Sequence, residues 1–207
     1  MMNFYMTPGS CSTGIHILLE ELEQIFSAHI VNLPAGDNQK PEFLAINPKG
    51  TIPVLVTDDG LVLTEFQAIA WWLALQFPKA KLLPESNNDK AQALDLMSYI
   101  VGTMHLQGFT RIFTTERYMQ RESDREAVEA QGRIIVKKGF AYISQQLDKT
   151  KGYLFEQFSV TDAALFYVEF WAKRIDLPMP ESCHKHLQLM QQRPVVQRVL
   201  AEEGYRI

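Results

Sequence analysis

At 207 residues the chain is long enough for one large domain or two small ones, and with 46% apolar residues it can bury a sizeable core. A formal net charge of -4, with no block of lysines or arginines, argues against nucleic acid as a partner, because phosphate binding wants a basic stripe. Two cysteines, Cys11 and Cys183, are too few for a disulfide scaffold, and no apolar run approaches the roughly 18 residues of a membrane helix, so no membrane partner is expected.

The opening MMNFYMTPGSCSTG has no basic stretch followed by an apolar one and is not expected to be a signal peptide. A reducing, cytoplasmic setting follows as the expectation, and in it a thiol can be reactive.

In chain order, a short strand is expected over 3–6, ended by Pro8, Gly9 and Ser10. A helix over 12–22 puts Ile15, Leu18, Leu19 and Leu22 on one face. A second strand over 28–32, a turn over 34–40 and a short helix over 41–46 follow. Residues 51–56 and 61–63 read as two strands joined at Asp58-Asp59-Gly60, and Thr64 is a candidate cap for a helix over 65–77. The order β-α-β-α-β-β-α implies a parallel βαβ unit closed by an antiparallel hairpin, hence a mixed four-stranded sheet with helices on both faces.

Residues 78–88 have no strong period, and 81–88 read as a linker between an N-terminal domain (1–80) and an all-helical one (89–207). Helical patterns run over 89–117, 124–147, 159–173, 183–192 and 195–203. The fold class is thus α/β plus all-α.

Three constellations carry chemistry. In YMTPGSCS a strand ends and Cys11 lands at the start of a helix, where unpaired N–H groups and a partial positive charge favour a thiolate. The other reading is a buried cysteine used as a small apolar filler. In FLAINPKGTIPVL, Pro53 opens a strand. A cis Ile52–Pro53 bond would turn the Ile52 backbone outward to pair with a peptide-like ligand; an ordinary edge proline is the equal alternative. In LTEFQAI a strand hands over to a helix whose first N–H groups, near Phe66 and Gln67, can hold a carboxylate, while Glu65 can accept from an ammonium group. A plain helix start is the rival reading.

Taken together, these runs resemble a bacterial cytosolic glutathione transferase, most of all the beta class. The resemblance continues at 158–164, where Ser159 and Asp162 look like the capping box of the helical domain, a structural feature. It covers nearly the whole chain and is weakest over 109–138. It implies a thioredoxin-like first domain with glutathione as co-substrate and no metal. Cys11 would lie beside the glutathione sulfur with Ser10 next to it, Ile52 and Pro53 would present backbone to the cysteinyl part, and Glu65 and Phe66 would hold the γ-glutamyl end.

Phe66 replaces the Ser or Gly common in relatives. His105 matches a glutathione-facing histidine of the beta class, while Ser98 stands for its asparagine and Leu106 for its lysine. Seven-residue spacing would put Ser98 and His105 on one face of an α-helix. His105 also reads as an interior histidine. Cys183, His184 and His186 form no convincing metal site.

The implied function is conjugation of glutathione to a small hydrophobic electrophile, by a homodimer, with Cys11 and His105 as catalytic candidates. Two alternatives stand beside it. One is a glutathione-dependent thiol–disulfide reductase or peroxidase using Cys11; the other is a non-catalytic binding protein on the same fold.

Overall fold

A computed structural model describes residues 1–150 and 152–206. Position 207, where the expected helical domain ends, lies outside the described residues. The chain divides into two compact units: Met1–Leu83 with Gln191–Ile207, and Pro84–Met190. The last helix thus groups with the first unit.

The first unit contains β1 (Met2–Met6), α1 (Ser12–Glu21), β2 (Phe26–Ile30), α2 (Pro41–Leu44), β3 (Val54–Val56), β4 (Val62–Leu63) and α3 (Phe66–Gln76). The sheet order is β2-β1-β3-β4. β1 runs parallel to β2, with Phe4 opposite Ala28, and antiparallel to β3, with Phe4 opposite Leu55; the β3–β4 pair is antiparallel. The mixed four-stranded sheet is thus present. β2 starts two residues earlier than expected, because its register is set by pairing with β1 rather than by its own hydrophobic pattern, most of which faces solvent.

Apolar alternation buries Met2, Phe4 and Met6 of β1. α1 is buried from Ser12 to Leu19, deeper than a one-faced helix, since it packs against both α3 and the last helix of the chain. Glu65, not Thr64, occupies the cap position of α3, and its side chain makes no capping bond.

The second unit opens with α4 (Asn87–Tyr99), capped by Ser86, whose Oγ accepts from the Asp89 N–H at 3.0 Å. The expected single helix over 89–117 is not continuous. After Tyr99 the winding widens to a π-helix over Ile100–Phe109, and a short α5 (Thr110–Phe113) ends it. Wider winding leaves carbonyls off the usual ladder. Side chains take them up: Leu106 O accepts from Tyr118 Oη at 3.1 Å and from Thr110 Oγ1, and Gln107 O accepts from Arg111 Nη1 at 2.5 Å.

α6 (Arg125–Thr150) packs against the π segment. A Cβ on Gly132 would lie 2.8 Å from the Gly108 carbonyl oxygen, so the close approach requires glycine there. α7 (Val160–Arg174) is buried throughout Val160–Ala172 and forms the centre of the unit. Asp162 pairs back to the Ser159 N–H at 2.8 Å, as the capping box requires. α8 (Glu181–Gln191) follows, and α9 (Pro194–Glu202) completes the first unit. Among the described residues no helix is long and apolar enough to cross a membrane.

Val196, Val199 and Leu200 of α9 form an i, i+3, i+4 stripe that is fully buried, each contributing about 1.5–3 kcal/mol. Ion pairs from Arg193 to Glu21 (2.7 Å) and Arg198 to Glu20 (2.7 Å) flank the α1–α9 contact.

Candidate functional site

The turn between β1 and α1 is held by short-range hydroxyl contacts. Ser12 is fully buried; its Oγ donates to Thr7 O at 3.0 Å and accepts from Thr7 N at 3.1 Å. Ser10 Oγ lies 2.6 Å from Ser12 Oγ, which directs the half-buried Ser10 back into the turn.

The turn is also gripped from the far end of the chain. Gly9 N donates to Glu203 Oε2 at 2.7 Å, and Thr13 Oγ1 donates to the same oxygen at 2.7 Å. Gly9 has φ of 71°, and a Cβ there would come within 2.0 Å of Tyr205 Oη. Tyr205 in turn reaches Pro8 O at 3.4 Å. Glycine is required here both for its conformation and for its size.

Cys11 sits just before α1 with helical backbone angles, its side chain 7% exposed. The expected lowering of its pKa is not what the surroundings produce. Burial pushes the thiol up to about 12; the N–H groups of Cys11 and Ser12 act in the opposite direction but are outweighed, and the Glu65 charge adds to the rise. The thiol rests 3.8 Å from the Ile52 carbonyl, as a weak donor toward it.

Ile52–Pro53 is cis. Among the described residues the Ile52 carbonyl meets only the Cys11 thiol, and the Ile52 N–H has no hydrogen-bond partner. Fully buried Asn47 steadies the preceding turn: its Nδ2 donates to Thr51 O at 2.7 Å and its Oδ1 accepts from Lys49 N at 3.1 Å. Glu65 already has a cation, Lys49 Nζ at 2.5 Å. Phe66 points inward and is only 3% exposed, so its bulk is taken up by the core. The turn therefore brings Cys11, Ser10 and the Ile52 backbone together, with Glu65 close enough to raise the thiol pKa.

In the helical unit, His105 lies on the π segment and is half-buried. Its Nδ1 is 3.3 Å from Tyr167 Oη, and its ring packs edge-on against Trp171 with centroids 4.8 Å apart. Desolvation pulls its pKa down to about 4, so the ring is neutral at pH 7. Ser98, on α4, is exposed, as is Leu106. The seven-residue argument for a shared face assumed α-helical winding; the π segment fits more residues into each turn, so His105 is rotated away from the Ser98 stripe. Cys183 is fully buried with its Sγ 3.8 Å from Phe140 O, and burial pushes its thiol well up.

A strand ending in a cysteine turn, the Ile52 backbone before a cis-proline and an acidic residue at a helix start thus all belong to the first unit. Residues 9–76 match the family described as Glutathione S-transferase, N-terminal domain, and residues 125–202 match Glutathione S-transferase, C-terminal domain. The chain belongs to the glutathione S-transferase family. It is 32% identical to glutathione S-transferase GstA of Escherichia coli O157:H7, over 98% of this chain and 99% of that one. Among solved structures it is similar to a glutathione transferase homologue from Sulfitobacter with bound glutathione (TM-score 0.88, 28% identity, 99% of each chain). It is also similar to the bacterial beta class transferase of Sphingomonas chungbukensis (TM-score 0.83, 27% identity, 98% of each chain).

For a family member with this turn, the residues that sequence reasoning missed are Glu203, Tyr205 and His16. Glu203 and Tyr205 meet the turn from nearly the other end of the chain, His16 pairs with Glu203, and no local pattern signals that. Lys49 could have been found, since it stands inside the proline-glycine run.

Proposed function

We propose that this transferase conjugates glutathione to small hydrophobic electrophiles, with the tripeptide held along the Cys11 turn, the Ile52 backbone and the start of α3. The observation that carries this reading is the Ile52 backbone beside a buried thiol: among the described residues its N–H has no hydrogen-bond partner and its carbonyl meets only the weakly donating Cys11 Sγ, at 3.8 Å. An extended peptide can add to such an edge by main-chain hydrogen bonds. The N–H groups at the start of α3 suit the γ-glutamyl carboxylate, and Glu65 suits its ammonium in exchange with Lys49.

In the reaction the glutathione thiolate attacks the electrophilic carbon. A C–S bond forms, the leaving group departs with its electron pair, and the thiol proton passes to solvent. Cys11 is a neighbour of that sulfur: with its thiol held near pKa 12, Cys11 is a poor nucleophile at pH 7. This disfavours disulfide or peroxide reduction through Cys11.

His105 is neutral at pH 7, with Nδ1 3.3 Å from Tyr167 Oη. Assembly as a homodimer and a cytoplasmic setting complete the reading; family resemblance supports both.

The test is turnover with glutathione and a panel of chloronitrobenzenes. Conjugate formation that saturates in glutathione, with a glutathione KM raised about tenfold or more in Glu65→Ala, is expected. Absence of conjugate with every electrophile, together with no retention on immobilised glutathione, would overturn the reading.

A further inference from the structure

A cluster of ligating side chains lies on the α1–α9 contact. His16 is 5% exposed, and both of its ring nitrogens face carboxylates. Nδ1 is 2.9 Å from Glu203 Oε1, and Nε2 is 3.4 Å from Glu202 Oε2. Glu203 is itself buried, and its other oxygen is fixed by Gly9 N and Thr13 Oγ1. Its Oε1 is thus an acceptor aimed at Nδ1, which places the ring proton there. An imidazole whose N–H is held by a buried carboxylate is how metal-binding histidines are oriented, with the second nitrogen presenting its lone pair.

That second nitrogen faces Glu202 at 3.4 Å, a separation that two ligands of one ion also have. A charge-assisted hydrogen bond would be about 2.7–2.9 Å, shorter than the 3.4 Å found. Two donors on one tetrahedral ion, each bonded at about 2.0–2.1 Å, stand about 3.4 Å apart. Glu20 is four residues after His16, hence on the same face of α1. Single donor atoms of His16, Glu20 and Glu202 all lie within 4.8 Å of one another. Arg198 engages only Oε2 of Glu20, through both its Nε and Nη2, which leaves Oε1 for a further ligand.

We propose that His16 Nε2, Glu20 and Glu202 form a binding site for a divalent first-row cation, best matched by Zn2+, with Glu203 as the carboxylate that orients the imidazole. One nitrogen and two carboxylate oxygens suit Zn2+, the dication balances the two carboxylates, and exposed Glu202 leaves room for water at the remaining position. Occupancy would tie α1, which begins next to Cys11, to α9. The ion's role is to fasten the turn, not to act on substrate.

The experiment is titration of the full-length reduced protein with Zn2+ by calorimetry, with thermal unfolding in parallel. Wild type and Cys11→Ser, which removes the competing thiol, are expected to bind one ion per chain and to show a raised Tm. Glu202→Gln alters an exposed side chain and is expected to fold normally. Its affinity, and that of Glu20→Gln, should drop about tenfold or more, with the Tm rise lost at the same Zn2+ concentration. Binding of equal strength in wild type and Glu202→Gln would overturn the site, as would no binding to wild type at millimolar Zn2+.

Discussion

At Cys11 two influences oppose each other. The end of a helix favours a thiolate, while removal from water favours the thiol, and the second wins because the side chain is almost wholly enclosed. A pKa near 12 leaves far less thiolate at pH 8 than a free cysteine has. Alkylation of the folded protein by iodoacetamide at that pH is therefore expected to be at least about a hundredfold slower than that of free cysteine, with both thiols reacting only on unfolding. Fast labelling of Cys11 would contradict the burial argument. If the attacking sulfur belongs to glutathione, Cys11→Ala should keep conjugation within about tenfold of wild type. Loss of nearly all turnover in Cys11→Ala would make Cys11 a participant. The sequence made the position of this cysteine legible, since a strand, a Pro-Gly break and a helix start are local signals. Its ionisation was not legible, because desolvation comes from residues distant in the chain.

The turn and α9 show the same division between local and distant causes. Glu203 takes a backbone N–H, a hydroxyl and an imidazole on two oxygens, all inside the protein. Replacing it by Ala strands those donors, and a loss of about 3–5 kcal/mol is expected, read as a lower urea midpoint, with a raised glutathione KM because the turn loosens. Gly9→Ala meets Tyr205 and a positive φ together, so it should also destabilise, by about 1–3 kcal/mol. A Gly9→Ala/Tyr205→Ala pair should recover part of that loss, and no recovery would mean that backbone strain alone is responsible. The strands and helices were readable from period and turn residues. The π segment was not: its apolar spacing fits a helix of either winding, and what identifies it is the wider backbone winding over Ile100–Phe109. For that reason the seven-residue spacing of Ser98 and His105 could not be turned into a shared face from the sequence alone.

At the scale of the whole molecule, a buried network in the helical unit makes stability depend on pH. In the helical unit, fully buried His186 places Nδ1 2.7 Å from Glu169 and Nε2 3.2 Å from Asp162. Among the described residues Glu169 Oε1 has no hydrogen-bond partner, and burial raises that carboxyl to about 7. Desolvation alone would lower His186, but the Glu169 charge and the bonds to both carboxylates outweigh it and hold the ring near 10. Both groups thus keep their protons longer in the folded state than in the unfolded chain. The stability they contribute is complete in acid and declines as pH rises, from about 4.5 to 7 for Glu169 and from about 6.5 to 10 for His186. Glu169→Gln should flatten the lower part of that decline, seen as a smaller Tm difference between pH 4.5 and 7, and also shrink the upper part, because the Glu169 charge is what chiefly raises His186. An unchanged lower slope would remove Glu169 as its source. The fold class was readable from the sequence as a whole, whereas this buried network was not, since Glu169 and His186 looked like ordinary helix residues until α7 and α8 packed together. The most direct measurement is a crystal structure with glutathione bound. The expected result has the glutathione sulfur beside Cys11, main-chain hydrogen bonds to Ile52 and the γ-glutamyl carboxylate at the start of α3. Glutathione bound with no contact to Ile52 or the start of α3 would contradict the assignment of the site.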